Sequence, residues 1–116
     1  MILFKPERVD DILTGRKTVT RRRGKRRWKV GTIHQARTQL FGKPFARLYI
    51  VSVAPEHYVF QRDGLREIHT TESRQAEALR EGFERPEDFF NAWRDMHGIK
   101  ALDQPCWRVE FRVAAD

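Results

Sequence analysis

The stretch Gly15-Arg16-Lys17-Thr18-Val19-Thr20-Arg21 places a lysine beside two threonines. A threonine hydroxyl becomes a nucleophile only when a neighbouring base takes its proton. A lysine amine is such a base only when neutral. Free lysine titrates at ~10.4, and burial and nearby cations such as Arg16 and Arg21 lower that value. Bringing it to about 7 takes roughly 4–5 kcal/mol, which demands a dry, walled pocket. Lys17 and Thr20 are three positions apart, so a regular strand would point them to opposite faces. They converge only where the chain bends, and the exit of a glycine-terminated helix is a natural place for a bend. Thr18 and Thr20 would share a face and offer two hydroxyls to a ligand. The plainer alternative is a Lys17 that pairs with a carboxylate beside two ordinary strand threonines.

A cationic run follows directly: Arg22, Arg23, Lys25, Arg26, Arg27 and Lys29, with Trp28 among them. Residues 16–29 hold nine Lys/Arg and no acid, and supply the whole net charge of +7. A local block of this kind points to a phosphate-bearing partner, nucleic acid or nucleotide. A flat ring among arginines can stack a base while the phosphates are neutralised. Trp28 could equally pack beneath the loop. Glu81 ends a helical stretch ahead of Gly82-Phe83, where the helix dipole disfavours a carboxylate. It could orient Lys17 or protonate a leaving group. His34, His57, His69 and His97 lack metal-ligand spacing and Cys106 has no cysteine partner, so no metal and no cofactor is expected.

These residues need elements to position them. Ile2-Leu3-Phe4 reads as a short buried strand. Pro6 opens a helix with Val9, Ile12 and Leu13 as its apolar stripe, and Gly15 closes it. Thr18 to Arg21 reads as extended and Val30-Gly31 as a turn. Thr32 to Thr38 and Phe45 to Val53 are strands joined through Gly42-Lys43-Pro44, with Pro55 interrupting the second. Glu56 to Gln61 reads as another short strand. Thr71 to Arg80 and Pro86 to His97 are helices, the latter with Phe89, Phe90 and Trp93 on its apolar face. In a last strand, Pro105 to Val113, Trp107, Val109, Phe111 and Val113 share one face, and Arg108, Glu110 and Arg112 the other. The order predicts a small α+β fold: a curved, largely antiparallel sheet or barrel with short helices packed at its ends.

The chain has 116 residues and 40% hydrophobic content, which suits one domain with one core, residues 1–116. A single cysteine excludes a disulfide framework and fits a reducing cytoplasm. No apolar run approaches the ~20 residues that span a membrane.

Four segments together resemble the ASCH domain family: Gly15 to Arg21, Val30-Gly31 before a strand, Glu81-Gly82-Phe83 followed by Phe89 and Trp93, and Pro105 to Phe111. The resemblance implies a PUA-like mixed or antiparallel β-barrel and a role tied to nucleic acid. One branch of that family consists of amidohydrolases that deacetylate N4-acetylcytidine. By that resemblance Lys17, Thr20 and Glu81 are the catalytic trio. Thr18, Arg21 and Trp28 would then contact the substrate, a modified pyrimidine nucleoside, with Arg21 at the oxyanion. Other members look like RNA-binding modules, and one type is associated with ribonuclease activity. The shared motif does not choose between these branches, nor does it exclude a purely regulatory interaction module. The run from Arg22 to Lys29 is more basic than a free nucleoside requires, and these cations are the candidate contacts to RNA.

Overall fold

The computed structural model describes residues 1–56, 60–61, 64–65, 71–98, 100 and 104–115, with side chains for all but 60–61, 64–65 and 71–73. Its strands are β1 (Ile2–Leu3), β2 (Val19–Arg22), β3 (Ile33–Arg37), β4 (Ala46–Glu56), β5 (Phe60–Gln61), β6 (Gly64–Leu65) and β7 (Cys106–Val113). The helices are α1 (Val9–Leu13), α2 (Thr71–Arg80) and α3 (Pro86–His97), with a 3-10 turn at Pro6–Arg8 ahead of α1. Five strands form one curled half-barrel sheet in the order β1-β3-β4-β7-β2. β1 lies parallel to β3 and the other neighbours in that sheet are antiparallel. β5 and β6 pair separately. The fold is the small α+β class that the element order predicts. Of the short strand expected from Glu56 to Gln61, residues 57–59 lie outside the described residues.

The longest pairing joins β4 to β7, from Leu48 opposite Val113 to Glu56 opposite Cys106. Its register shifts between Ile50 and Ser52. An extra residue on one strand bends it and increases its twist, which curls the sheet. Pro55 does not interrupt β4, contrary to expectation: it sits inside the strand opposite Trp107. β3 pairs with β4 only as far as Tyr49. Beyond that point β7 is the only strand beside β4 among the described residues, and a ring without an N–H is tolerated on an edge.

The main core gathers Ile2 of β1, Phe4 just after it, Ile12 of α1, Leu48 of β4, and Val109 and Phe111 of β7. Fully burying one such side chain contributes about 1.5–3 kcal/mol. In the stripe expected on α1, Ile12 is buried but Leu13 is 50% exposed. A helix of so few residues presents one position to the core. A second cluster packs Ala78 of α2 and Phe89, Phe90 and Trp93 of α3 against Cys106. Pro86 at the start of α3 and Gly98 at its end, with φ +84°, bound that helix as its sequence predicts. Among the described residues no helix is long and apolar enough to cross a membrane.

Candidate active site

The end of α2 is built to meet the exit of α1. Glu81 is the C-cap of α2. Phe83 N–H bonds back to Ala78 O (2.8 Å) and Gly82 N–H to Leu79 O (3.0 Å), the paired bonds of a Schellman motif. Gly82 takes φ +95°, and a Cβ there would lie 3.3 Å from Asp11 Oδ2 and 3.5 Å from Lys17 Cβ. A glycine thus lets α2 end against the α1 exit. On the other side Gly15 turns at φ +79°, and Lys17 N–H donates to Asp11 O (2.9 Å) before β2 begins. Thr18 N–H caps Arg80 O of α2 at 2.8 Å, so the two exits are tied directly.

This junction buries Lys17 and Glu81, which are 5% and 4% exposed. Lys17 Nζ donates three bonds: to Glu81 Oε1 (2.9 Å), to the Glu81 carbonyl (2.8 Å) and to the Val19 carbonyl (2.8 Å). An ammonium fills all three acceptors. It also meets a carbonyl at the negative end of α2, which offsets the dipole's effect on Glu81. Burial pulls the Lys17 pKa down, the Glu81 charge and hydrogen bond pull it up, and burial prevails, so the net direction is below free lysine. Three partners are enough to keep a charge there while leaving it easier to discharge than a surface lysine.

Behind the pair sits a charge cluster that sequence reasoning missed. Arg21 has no exposed side-chain surface and reaches three carboxylates: Glu81 Oε2 (2.8 Å), Glu77 Oε1 (2.5 Å) and Glu56 Oε2 (3.0 Å). Glu77 also accepts from Arg108 (2.7 Å) and Arg80 (2.6 Å). Burial alone would raise the Glu77 carboxyl, but the bond from Arg108, the Arg21 charge and the bonds from Arg80 and Arg21 hold it well below the usual carboxylate range. Its folded-state pKa is depressed, so its stabilisation is present at neutral pH. That stabilisation is expected to fade as pH drops below about 4.3, the unfolded value, because protonation then favours the unfolded chain. Urea midpoints measured from about pH 7 down to about pH 3 should fall steeply in the wild type and less steeply in Glu77→Gln. Equal slopes would show that Glu77 does not carry the acid sensitivity.

In front of the pair lies a cavity of about 340 Å3 lined by Lys17, Thr20, Arg22 and Glu81 and walled by Phe4, Phe83, Phe89 and Trp93. Ligand sites commonly start at about 300 Å3. Arg22 donates from Nε to Thr20 Oγ1 (3.1 Å) and stacks over Phe4 (4.9 Å). Thr20 and Arg22 alternate with Arg21 along β2, so adjacent arginines have opposite fates. The arrangement offers a hydroxyl polarised by a guanidinium, a buried amine and a carboxylate on one apolar-walled space.

Two solved structures share the architecture. An ASCH domain from Lactobacillus crispatus superposes with a TM-score of 0.66 at 20% identity, over 90% of this chain and 69% of that one. The chain folds as an ASCH domain. A mutant of the ZmASCH protein from Zymomonas mobilis gives 0.59 at 17% identity, over 96% of this chain and 66% of that one. No family model and no curated protein sequence matches the chain.

On this ASCH fold the sequence-expected residues divide into separate groups. Lys17, Thr20 and Glu81 line one cavity. They converge because Lys17 stands before β2, where the backbone is irregular, and not within it. Arg21 also borders the cavity, yet its polar edges turn to carboxylates. It holds Glu81 in place, and the guanidinium beside the hydroxyl is that of Arg22. Thr18 is not among the lining residues, and its backbone is spent on α2 and on Phe111 N–H (2.9 Å). Trp28 is corrected from a stacking platform to a core residue: it is 8% exposed and packs with Ile2, Ile12 and Val109. Its ring is more stable in that apolar cluster than in water, despite its basic neighbours. Arg23 joins Arg22 in the lining, while Lys25, Arg26, Arg27 and Lys29 are exposed outside it. His97 lines the cavity without having been singled out, its ring 4.4 Å from that of Trp93. The i, i+4 spacing of Glu77 and Glu81 on one helix face was the available signal for the missed acid.

Proposed function

We propose that this cavity binds a pyrimidine with an acylated exocyclic amine, of the N4-acetylcytidine type, and hydrolyses the amide. The observation that carries the reading is the convergence of Lys17, Thr20 and Glu81 on one aromatic-walled cavity of about 340 Å3. Neutral Lys17 takes the Thr20 proton as Oγ1 bonds to the acyl carbon, and the carbonyl electrons move to its oxygen. Arg22, already bonded to Thr20 Oγ1, stabilises that oxyanion. Collapse breaks the C–N bond, and the Lys17 ammonium returns its proton to the departing amine. Water then attacks the acyl-threonine ester with Lys17 again as base, releasing the carboxylate and restoring the hydroxyl. Glu81 orients Lys17 throughout.

Incubation with N4-acetylcytidine should yield cytidine and acetate in equal amounts. Thr20→Val, which keeps the shape and removes the hydroxyl, is expected to lower kcat/KM by about 10²–10⁴, and Thr20→Ser to retain most activity. Turnover that survives in Thr20→Val would exclude the threonine ester. A second reading, RNA binding with or without ribonuclease activity, is favoured by Lys25, Arg26, Arg27 and Lys29. These are exposed and in no ion pair among the described residues. It gives salt-sensitive RNA binding that weakens when those charges are removed.

A further inference from the structure

The cavity lining grades from buried to exposed. Lys17, Thr20 and Glu81 are each 5% exposed or less, Arg22 is half-buried, and Lys5 and Arg23 stand exposed at the mouth. The charges grade as well. At the floor every cation is answered by a carboxylate: Lys17 by Glu81, and Arg21 by Glu56, Glu77 and Glu81. At the mouth the pattern stops. Among the described residues Lys5, Arg22 and Arg23 make no ion pair, and Arg23 Nη2 donates to the neutral Gln104 amide. The acids at this end of the lining are Glu7 and Asp95, and Asp95 is engaged by Arg94 at 3.5 Å.

We propose that Lys5 and Arg23 form a phosphate subsite at the cavity mouth, so that the ligand is a pyrimidine nucleotide unit with a phosphate ester on its ribose, not a free nucleoside. The inference rests on the cavity being a pyrimidine site. With its acylated exocyclic amine at buried Lys17 and Thr20, a pyrimidine carries its ribose on the opposite edge, toward the exposed end of the lining. There a ribose phosphate meets Lys5 and Arg23. A neutral nucleoside leaves Lys5 and Arg23 without an ion-pair partner among the described residues. A phosphate neutralises them through charge-assisted bonds, the strongest polar contacts available there. His97 reports the same field from the rim: burial, then Arg23, Arg22 and Lys5, hold its pKa below the ordinary histidine value. The phosphate source is either a free nucleotide or a nucleotide within RNA, and the exposed cations from Lys25 to Lys29 run on from Arg23.

The full chain is titrated by calorimetry, at low salt, with cytidine, its 5′- and 3′-monophosphates and a short oligocytidylate. At least one monophosphate is expected to bind about tenfold or more tighter than cytidine. Lys5→Glu with Arg23→Glu should erase that ratio. NMR titration of the His97 ring, assigned with His97→Gln, should show its pKa rising with the monophosphate and not with cytidine. An oligocytidylate that binds tighter than the monophosphates assigns the phosphate to RNA; equal binding assigns it to a free nucleotide. Equal affinity for cytidine and both monophosphates overturns the subsite while leaving the pyrimidine cavity standing. A monophosphate preference without any hydrolysis of acetylcytidine overturns the hydrolase and keeps the subsite. No binding of any of the four overturns both.

Discussion

Arg21→Met is expected to destabilise the fold by about 3–5 kcal/mol, measured as the loss of unfolding free energy in urea at neutral pH. The guanidinium bonds to Glu56, Glu77 and Glu81 with no side-chain exposure of its own. Methionine matches much of its length and leaves those carboxylates with fewer partners. Glu77 keeps Arg108 and Arg80, and Glu81 keeps Lys17, but both remain 4% exposed or less. Removing one partner from a buried charge network costs more than the network contributes, because the remaining charges stay desolvated. Arg21→Lys should fall between, since a single ammonium cannot span three carboxylates as a planar fork does. The double variant Arg21→Met with Glu77→Gln should lose less than the sum of its singles, a coupling confined to residues in contact. A single-variant loss below about 1 kcal/mol would mean that the cluster is solvated and that Arg21 does not set the position of Glu81.

How much of this was legible in the sequence depends on what each residue's environment required. Gly15, Pro86 and Gly98 punctuate helices through backbone constraints that act locally, and those ends fell where expected. The alternation in β4 and β7 is equally local. Gly82 is different: it closes α2, and it also admits the α1 exit to within contact of Glu81, which no local pattern reveals. Adjacent Arg21 and Arg22 look alike in sequence. Which one is buried depends on which face of β2 the helix α2 covers. Arg108 shares a face of β7 with Glu110 and Arg112 in the sequence pattern, but Glu77 of α2 reaches it there and takes both its Nε and Nη2 bonds. Without that tertiary contact Glu77 reads as an ordinary helix-surface acid. Trp28 failed for the converse reason. Its basic neighbours describe the loop, while its ring answers to an apolar cluster drawn from β1, α1 and β7. Pro55 was legible as a ring without a donor, but not as a residue beyond the reach of β3.

Lys17→Arg is expected to lower kcat/KM on N4-acetylcytidine by about 10²–10⁴, as much as Lys17→Met does. The two variants separate charge from basicity. Arginine preserves a cation beside Glu81, so a lysine acting only through its field would survive the exchange. Arginine does not release its proton in the working range, so a lysine acting as base would not. The resting geometry makes this a demanding test, because all three Nζ bonds point at acceptors that suit an ammonium. Losing one proton frees a lone pair and leaves one of those acceptors unmet. The burial that pulls the Lys17 pKa down is what makes that exchange accessible. The base must be neutral, so kcat/KM should climb with pH and level off below the free-lysine value of about 10.4. That limb should be absent from the residual activity of both variants. Glu81→Gln keeps an acceptor for Lys17 but removes the charge that favours its protonated form. The limb should therefore move to lower pH while the variant stays folded. A Lys17→Arg enzyme with wild-type turnover and an unchanged profile would assign Lys17 to electrostatics. The base would then be sought among the other titratable groups of the lining, Glu81 and His97 first.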